Sequence, residues 1–397
     1  MITWLEGEQT HTARWQSESR LSPPKKVLVV DDTLTADRAY RMACEGIGLL
    51  WRGDFQNARQ LLDAMARRID KPKKPKRISK TQEAKRPSVQ DGSTPDSIGA
   101  AFHAYRLAQS QRSRTLAQLL IPIGPHHQIQ LARAPKTGLA GEEAFGPMSE
   151  DYVIPLREML GVVGAHEWRK KGLVIDTLKT DEERRIYPHY GVFSPIRGEY
   201  LDLISKAKLP QALEAHSRAF DIGTGTGVLA AILAVRGIEE IVASEIDPRA
   251  LRCAQDNIQQ LGYAEKIQLV ETNLFPDGKA SLIVCNPPWI PARPSSSLER
   301  AIYDPDSQML RGFLNGLVTH LQSTGEGWLI LSDLAEHLGL RSRAQLLTWI
   351  AEAGLVVLAQ ESIKPRHSKA ADKSDALYAA RSAEITTLWR LGRANPD

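Results

Sequence analysis

The sequence predicts an α/β protein: a doubly wound, mainly parallel sheet with an antiparallel edge in the C-terminal half, preceded by a mainly helical N-terminal region. Three observations lead there. From about Leu201, short apolar runs of strand character alternate with amphipathic helical stretches, the pattern of a parallel sheet covered by helices. A glycine-rich turn, Asp221-Ile222-Gly223-Thr224-Gly225-Thr226-Gly227, joins the first of those strands to its helix. A Lys- and Pro-rich stretch from Lys71 to Asp96, with almost nothing to bury, interrupts the helical N-terminal region and reads as a linker.

The bounds are those of an ordinary globular chain. At 397 residues and 42% hydrophobic content it has room for two or three domains. No run approaches the roughly 20 apolar residues that span a bilayer, and Met1 to Arg20 lacks the apolar core of a signal peptide, so a cytoplasmic location and no membrane partner are expected. Cys44, Cys253 and Cys285 are too far apart for a disulfide framework or a CxxC metal spacing, and His126-His127 has no ligand neighbours in sequence. No metal is expected.

Lys26-Val27-Leu28-Val29-Val30-Asp31 reads as a short strand. Ala36, Ala39, Tyr40, Ala43, Ile47 and Leu50 recur at helical spacing, and after Gly53 so do Phe55, Ala58, Leu61, Leu62, Met65 and Ile69, which predicts a helical hairpin over residues 1–70. The basic linker follows over 71–96. Ile98, Phe102 and Tyr105, then Leu116, Leu119 and Leu120, predict a helical accessory region over 97–190. It ends in a β-hairpin from Gly172-Leu173-Val174-Ile175-Asp176 and Arg185-Ile186-Tyr187-Pro188.

The catalytic domain is expected over 191–397. Its strands are placed at 219–222, 241–244, 267–270, 281–285 and 328–331, with helices at 228–235, 248–261, 310–321 and 343–353 between them. Late strands at 356–358 and 385–389 would form the antiparallel edge. In such a sheet ligands sit at the carboxyl ends of the strands.

The glycines of the turn let backbone approach a ligand closely. Val228 stands where a G-x-G-x-x-G dinucleotide pattern needs its last glycine, so a pyrophosphate site is not implied. Glu245 ends the next strand, near the roughly 20-residue offset at which an acid accepts ribose hydroxyls. Asn273, at the end of the third strand, is placed to meet an adenine edge, with Leu274 against its face.

Downstream, Ile283-Val284-Cys285 runs into Asn286-Pro287-Pro288-Trp289. The Asn286 side-chain oxygen and the Pro287 carbonyl form a pair of acceptors for a flat NH2 group, and Trp289 a plate to stack on it, an interaction worth roughly 1–3 kcal/mol per base in single-strand binders. Such acceptors shift electron density onto an otherwise delocalised nitrogen. Transfer then needs chiefly alignment.

The glycine turn resembles that of class I S-adenosylmethionine-dependent methyltransferases, and Asn286-Pro287-Pro288-Trp289 resembles the Asn-Pro-Pro-aromatic signature of enzymes that methylate exocyclic amino groups of adenine or guanine or the side-chain amide of glutamine. Phe193-Ser194-Pro195-Ile196-Arg197-Gly198-Glu199-Tyr200 is similar to the Pro-Arg-x-Glu segment of HemK-like enzymes and their "methyltransferase small domain" relatives. The resemblance covers about Tyr190 to the C-terminus. It implies a Rossmann-like, seven-stranded core, S-adenosyl-L-methionine as cofactor, and Asp221, Gly223, Thr224, Gly225, Gly227, Glu245, Asn273, Pro195 and Arg197 around it, with Glu199 nearby. Asp221 would face the methionine amino group, directly or through water. Asn286, Pro287, Pro288 and Trp289 would hold the acceptor. Trp289 departs from the Tyr usual in the HemK-like enzymes, and the N-terminal half shows no match to their substrate-binding domain.

The partner follows from charge. Net charge is +4, yet Lys71 to Gly141 holds thirteen Lys/Arg against three acidic residues, a local excess of +10. Phosphate neutralisation favours an acidic partner there. Methylation of a nucleic-acid base, RNA ahead of DNA, is therefore expected first. Methylation of a translation protein at glutamine is the alternative, and a non-catalytic nucleic-acid-binding scaffold a third.

Overall fold

The computed structural model describes residues 1–71, 95–179, 183–196, 198–215, 217–294, 298–366, 375 and 377–395. The expected linker thus lies almost wholly outside the described residues, as does Arg197. The chain divides into two compact units, Met1–Gly164 and Ala165–Asp397, rather than at residues 70, 96 and 190.

The first unit runs β1 (Ile2–Glu6), β2 (Gln9–Trp15), β3 (Lys26–Val30), α1 (Ala36–Cys44), β4 (Ile47–Trp51), α2 (Phe55–Asp70), α3 (Pro95–Leu116), β5 (Leu119–Ile123), α4 (Gly138–Phe145), β6 (Tyr152–Pro155) and α5 (Leu156–Lys171), within which the division falls. Its helices pack around a six-stranded sheet of order β1-β2-β6-β5-β4-β3 that helical periodicity did not reveal. The expected helical hairpin is corrected accordingly. Gly46, at φ 78°, ends α1, and the five residues Ile47 to Trp51 form a central strand paired in parallel with β3 and β5. Gly48, Leu49, Leu50 and Trp51 are all buried. A strand covered on both faces is apolar throughout, and so short a run fits a helical series as well. Leu119 and Leu120 are misread for the same reason and belong to the fully buried β5.

The second unit begins in α5. β7 (Leu173–Val174) and β8 (Arg185–Ile186) pair antiparallel. α6 (Glu199–Lys206) and α7 (Ala212–Ala215) lead into β9 (Arg218–Ile222), α8 (Val228–Val235), β10 (Glu240–Glu245), α9 (Pro248–Gln260), β11 (Ile267–Glu271) and β12 (Ala280–Cys285). Then come α10 (Gln308–His320), β13 (Leu321–Ser332), α11 (Leu334–His337), α12 (Arg343–Glu352), β14 (Leu355–Ile363), α13 (Tyr378–Ala383) and β15 (Thr386–Arg393).

The seven strands order as β11-β10-β9-β12-β13-β15-β14. Only β15 runs antiparallel, inserted between β13 and β14, so the antiparallel edge expected of the last two strands is one reversed strand inside a parallel rim. Ile222, Val242, Ile283 and Leu329 face a core with Leu310, Phe313, Leu314 and Leu317 of α10. Ala219, Ile241, Ala243, Leu282 and Val284 face the opposite core with α6 and α8. Helix α8 is buried from Val228 to Ala234, which explains its almost uninterrupted aliphatic sequence. No helix of the described residues is long and apolar enough to cross a membrane.

Candidate active site

Strand register brings the motifs together. β9 pairs in parallel with β10 on one side, Ile222 opposite Ser244, and with β12 on the other, Ile222 opposite Cys285. The strand order reverses between β9 and β12, the place where an open α/β sheet forms its ligand crevice. Gly223, Glu245 and Asn286 therefore leave three adjacent strands at one edge. Asn273, exposed, follows β11 at the next position outward.

The turn is set by left-handed glycines at φ 72°, 58° and 81° for Gly223, Gly225 and Gly227, a conformation other residues adopt only with strain. The Gly223 and Thr224 N–H groups both donate to the Ser244 carbonyl at 2.9 Å, which binds the turn to β10. A Cβ on Gly223 would lie 2.6 Å from Met309 Cε, whereas one on Gly225 would meet nothing within 4 Å. Backbone at Gly225 is thus open to a ligand. Its N–H donates to Glu245 Oε2 at 3.1 Å, while Glu245 Oε1 accepts from the Ile246 and Asp247 N–H groups at 2.8 and 3.0 Å. Glu245 ties the turn to the end of β10 and presents its carboxylate there.

Asp221 is fully buried. Its Oδ2 accepts from Thr224 Oγ1 at 2.6 Å and from the Ala230 N–H at 3.1 Å, and its Oδ1 has no partner among the described residues. Burial pushes the carboxyl up to about 6, against the hydrogen bonds that favour its ionised form. Glu199, in the first turn of α6, is also buried with Oε1 unpartnered, and the neighbouring Tyr200 hydroxyl is raised by burial and then by the charges of Asp221 and Glu199. Both acids act on Tyr200, and each keeps one oxygen to which no described group donates.

The segment carrying Pro195 is led along α9. The Tyr187 N–H donates to Asn257 Oδ1 at 2.7 Å, the His189 N–H meets Cys253 Sγ at 3.3 Å, and Val192 packs on Ala250 and Cys253. The chain thereby runs back toward the N-terminal end of α9, which follows Glu245. Pro195 is buried and Ile196 is exposed.

At the end of β12 Pro287 is buried and Asn286 half-buried. Trp289 Nε1–H donates to Asn286 Oδ1 at 2.8 Å, so one lone pair of the expected acceptor oxygen is held by the motif's own indole. That bond fixes the amide's orientation and leaves the second lone pair of Asn286 Oδ1. Trp289 is half-buried against both cores of the unit, so only part of its ring remains for stacking.

Other residues at this edge escaped the sequence reading. Ile246 is 63% exposed beside Glu245, an apolar side chain at a strand end that signals a flat ligand only once the sheet order is known. Met309, which covers Gly223 from α10, escaped it too, whereas Leu274, read from the sequence as packing on the adenine face, takes φ 68°, rare for a branched residue. Among the described residues no three His, Cys, Asp or Glu side chains cluster as metal ligands.

Residues 183–337 match the family described as methyltransferase small domain. The chain is 45% identical over 69 residues to a ribosomal protein L11 methyltransferase of Pelotomaculum thermopropionicum, covering 17% of this chain and 22% of that protein. It is 29% identical over 187 residues to a tRNA1(Val) (adenine(37)-N6)-methyltransferase of Shewanella loihica, covering 43% of this chain and 74% of the relative. A third relative, the enzyme of the same name from Parabacteroides distasonis, is 42% identical over 81 residues, 19% of this chain and 34% of its own. The chain thus spans well under two thirds of the first and third of these. Among solved structures, a ribosomal protein L11 methylase from Lactobacillus delbrueckii subsp. bulgaricus overlays at a TM-score of 0.33 and 17% identity over 50% of this chain and 80% of that one.

The buried Asp221 has a pH signature. Because burial raises its folded value above that of the unfolded chain, the folded state holds its proton more tightly. Its contribution to stability is therefore lost as pH rises from about 4 to about 6 and stays lost above that. Thermal unfolding midpoints of ligand-free wild type and Asp221→Asn, measured from pH 4 to 8, should diverge over that window, with the variant equal or more stable above it. Parallel curves would show that Asp221 ionises in the fold as it does in water.

Proposed function

We propose that the protein is an S-adenosylmethionine-dependent N-methyltransferase acting on an exocyclic amino group of a nucleic-acid base, adenine or guanine, with RNA ahead of DNA. The observation that carries this reading is the pairing of Ile222 with Cys285, from which the glycine turn and Asn286-Pro287-Pro288-Trp289 depart side by side. The names of the adenine-N6 relatives point the same way. A cytoplasmic setting accords with it.

The residues present fit the cofactor. The unpartnered oxygens of Asp221 and Glu199 suit its ammonium, by direct bond or through water, and the open backbone at Gly225 suits close approach of its methionine end. Glu245 would accept the ribose hydroxyls, Asn273 would meet the adenine edge, and Ile246 and Leu274 would cover its faces. Pro195 and Arg197 would close the pocket. When bound, S-adenosylmethionine supplies an electrophilic methyl on a positively charged sulfur.

The chain's own part is alignment. The free lone pair of Asn286 Oδ1 and the Pro287 carbonyl accept the two N–H bonds of the substrate amino group, directing its nitrogen lone pair at the methyl carbon; Pro288 stiffens the turn and Trp289 stacks on the base. The cofactor would supply the methyl group, and these residues would hold the amino group in line with it while the amino proton is lost to solvent. The base must be single-stranded or flipped to reach this edge.

A second reading, protein glutamine methylation, is favoured by the Pro195–Glu199 segment and by relatives named for ribosomal protein L11. The two are separated by incubating labelled S-adenosylmethionine with total RNA, DNA and a protein extract, then treating with nuclease or protease. Nuclease-sensitive label is expected; label that survives nuclease and yields to protease would transfer the assignment to protein, and no label at all would favour a scaffold. Asn286→Ala should bind cofactor within about twofold of wild type and lose at least about 100-fold in rate. An unchanged rate would remove Asn286 from the acceptor site.

The basic segment offers a separate check. Removing residues 71–96, with eight Lys/Arg, should weaken RNA binding and flatten its log–log salt dependence by about 2 to 5, at roughly 0.7 per neutralised phosphate. An unaltered slope would make the segment a tether.

A further inference from the structure

We propose that Arg341 is a positioning residue that sets the Trp289 plate relative to the cofactor turn, acting together with the buried carboxylate of Asp304. The proposal rests on the methyl-transfer reading of Asn286-Pro287-Pro288-Trp289. Arg341 itself lies beyond the family match, which ends at residue 337.

Arg341 is 3% exposed, and its Nε has no partner among the described residues. Its Nη2 donates to the Trp289 carbonyl at 3.5 Å. Burial lowers its affinity for its proton, opposed only by the fields of Glu336 and Asp304. A guanidinium placed in a core for stability alone is normally closed by a carboxylate fork. This one is directed at the main chain of the aromatic residue that would carry the substrate.

The guanidinium is delivered from a fixed corner. The Leu340 and Arg341 N–H groups both donate to the Ala335 carbonyl, at 2.9 and 3.3 Å, and Ser342 Oγ caps α12 at the Gln345 N–H, 3.1 Å away. Across the loop, the chain that leaves Trp289 is closed at its base: the Ile290 N–H donates to the Ile302 carbonyl at 3.2 Å and the Asp304 N–H to the Ile290 carbonyl at 2.9 Å.

Asp304, 5% exposed, then accepts from the Met309 and Leu310 N–H groups at 3.0 and 3.1 Å and so caps α10. Burial raises its carboxyl, countered by those bonds and by the charge of Arg341. Asp306 and Ser307, between the two, both sit at φ 55°, strain that the cap holds in place. Met309, the first residue capped, is the one whose methyl covers Gly223.

An unbroken path thus links the two halves of the site. It runs from the Arg341 guanidinium to the Trp289 carbonyl, through Ile290 to Asp304, into the first turn of α10 and onto the cofactor turn at Gly223. Removing Arg341 releases the plate without touching a group that would hold the cofactor.

The test compares Arg341→Ala, Arg341→Lys, Asp304→Asn, Trp289→Phe and the double variant Arg341→Ala/Trp289→Phe in the full chain. Initial rates are read with labelled S-adenosylmethionine and unfractionated RNA, cofactor Kd by calorimetry, and the Trp289 indole N–H resonance, identified by its loss in Trp289→Phe, by NMR. Arg341→Ala should lower the rate at saturating RNA about 10- to 100-fold, leave cofactor Kd within about twofold and shift the Trp289 resonance. In the Trp289→Phe background the same change should cost less than about threefold, and Arg341→Lys should recover part of the loss. Equal falls in rate and cofactor affinity, an unmoved resonance, or full additivity of the two substitutions would each overturn the proposal. If Arg341→Ala does not fold, Asp304→Asn is judged by the same rate, Kd and resonance criteria. If wild type labels no RNA, the RNA reading falls on its own, and the indole resonance alone decides whether Arg341 positions Trp289.

Discussion

The parallel pairing of β9 with β12 is the constraint on which the site depends. A chain that crosses from one half of a doubly wound sheet to the other must leave a gap above the strands where the order reverses, and both motifs are attached to that gap. Ile222 and Cys285 are fully buried, so the register is fixed by core packing on both faces. A slip of one residue would turn every side chain of β12 to the opposite face. The placement of the glycine turn beside Asn286-Pro287-Pro288-Trp289 is therefore a property of the fold, not of the loops.

Charge at this edge is handled by burial with selective hydrogen bonding. Asp221 gives one oxygen to Thr224 and Ala230 and keeps the other unpartnered, Glu245 gives both oxygens to backbone, and Asp304 spends both on α10. Each carboxylate thus has a distinct task set by how many donors the backbone supplies. Trp289 is held the same way, by its indole on Asn286 and its carbonyl facing Arg341. Groups so fixed need little rearrangement when a ligand arrives, which is where alignment-driven catalysis gains most.

The second unit was largely legible because its signals are redundant. The glycine turn, the Pro-Pro stop after β12 and the alternation of strand and helix each locate the same elements, and the strands at 219–222, 241–244, 267–270 and 281–285 fall within one or two residues of their observed ends. The first unit carried no such punctuation. Ile47 to Trp51 and Leu119 to Ile123 are buried on both faces and carry no alternation, while β1 and β2 alternate clearly, Ile2 and Trp4 inward, within a stretch that looks merely polar. In the site, motif residues were found from local spacing. Ile246, Met309, Asp304 and Arg341 were not, since their roles arise from strand order and from contacts between distant segments.

The proposed function requires a meeting of the methyl donor with the Trp289 plate above the β9–β12 gap. Its most direct measurement uses S-adenosylmethionine carrying a 13C-labelled methyl, bound to the full chain, with isotope-filtered nuclear Overhauser effects read from that methyl. Contacts to the Trp289 ring and the Pro287 side chain are expected. A bound methyl with contacts only to residues away from the end of β12, and none to Trp289 or Pro287, would contradict it.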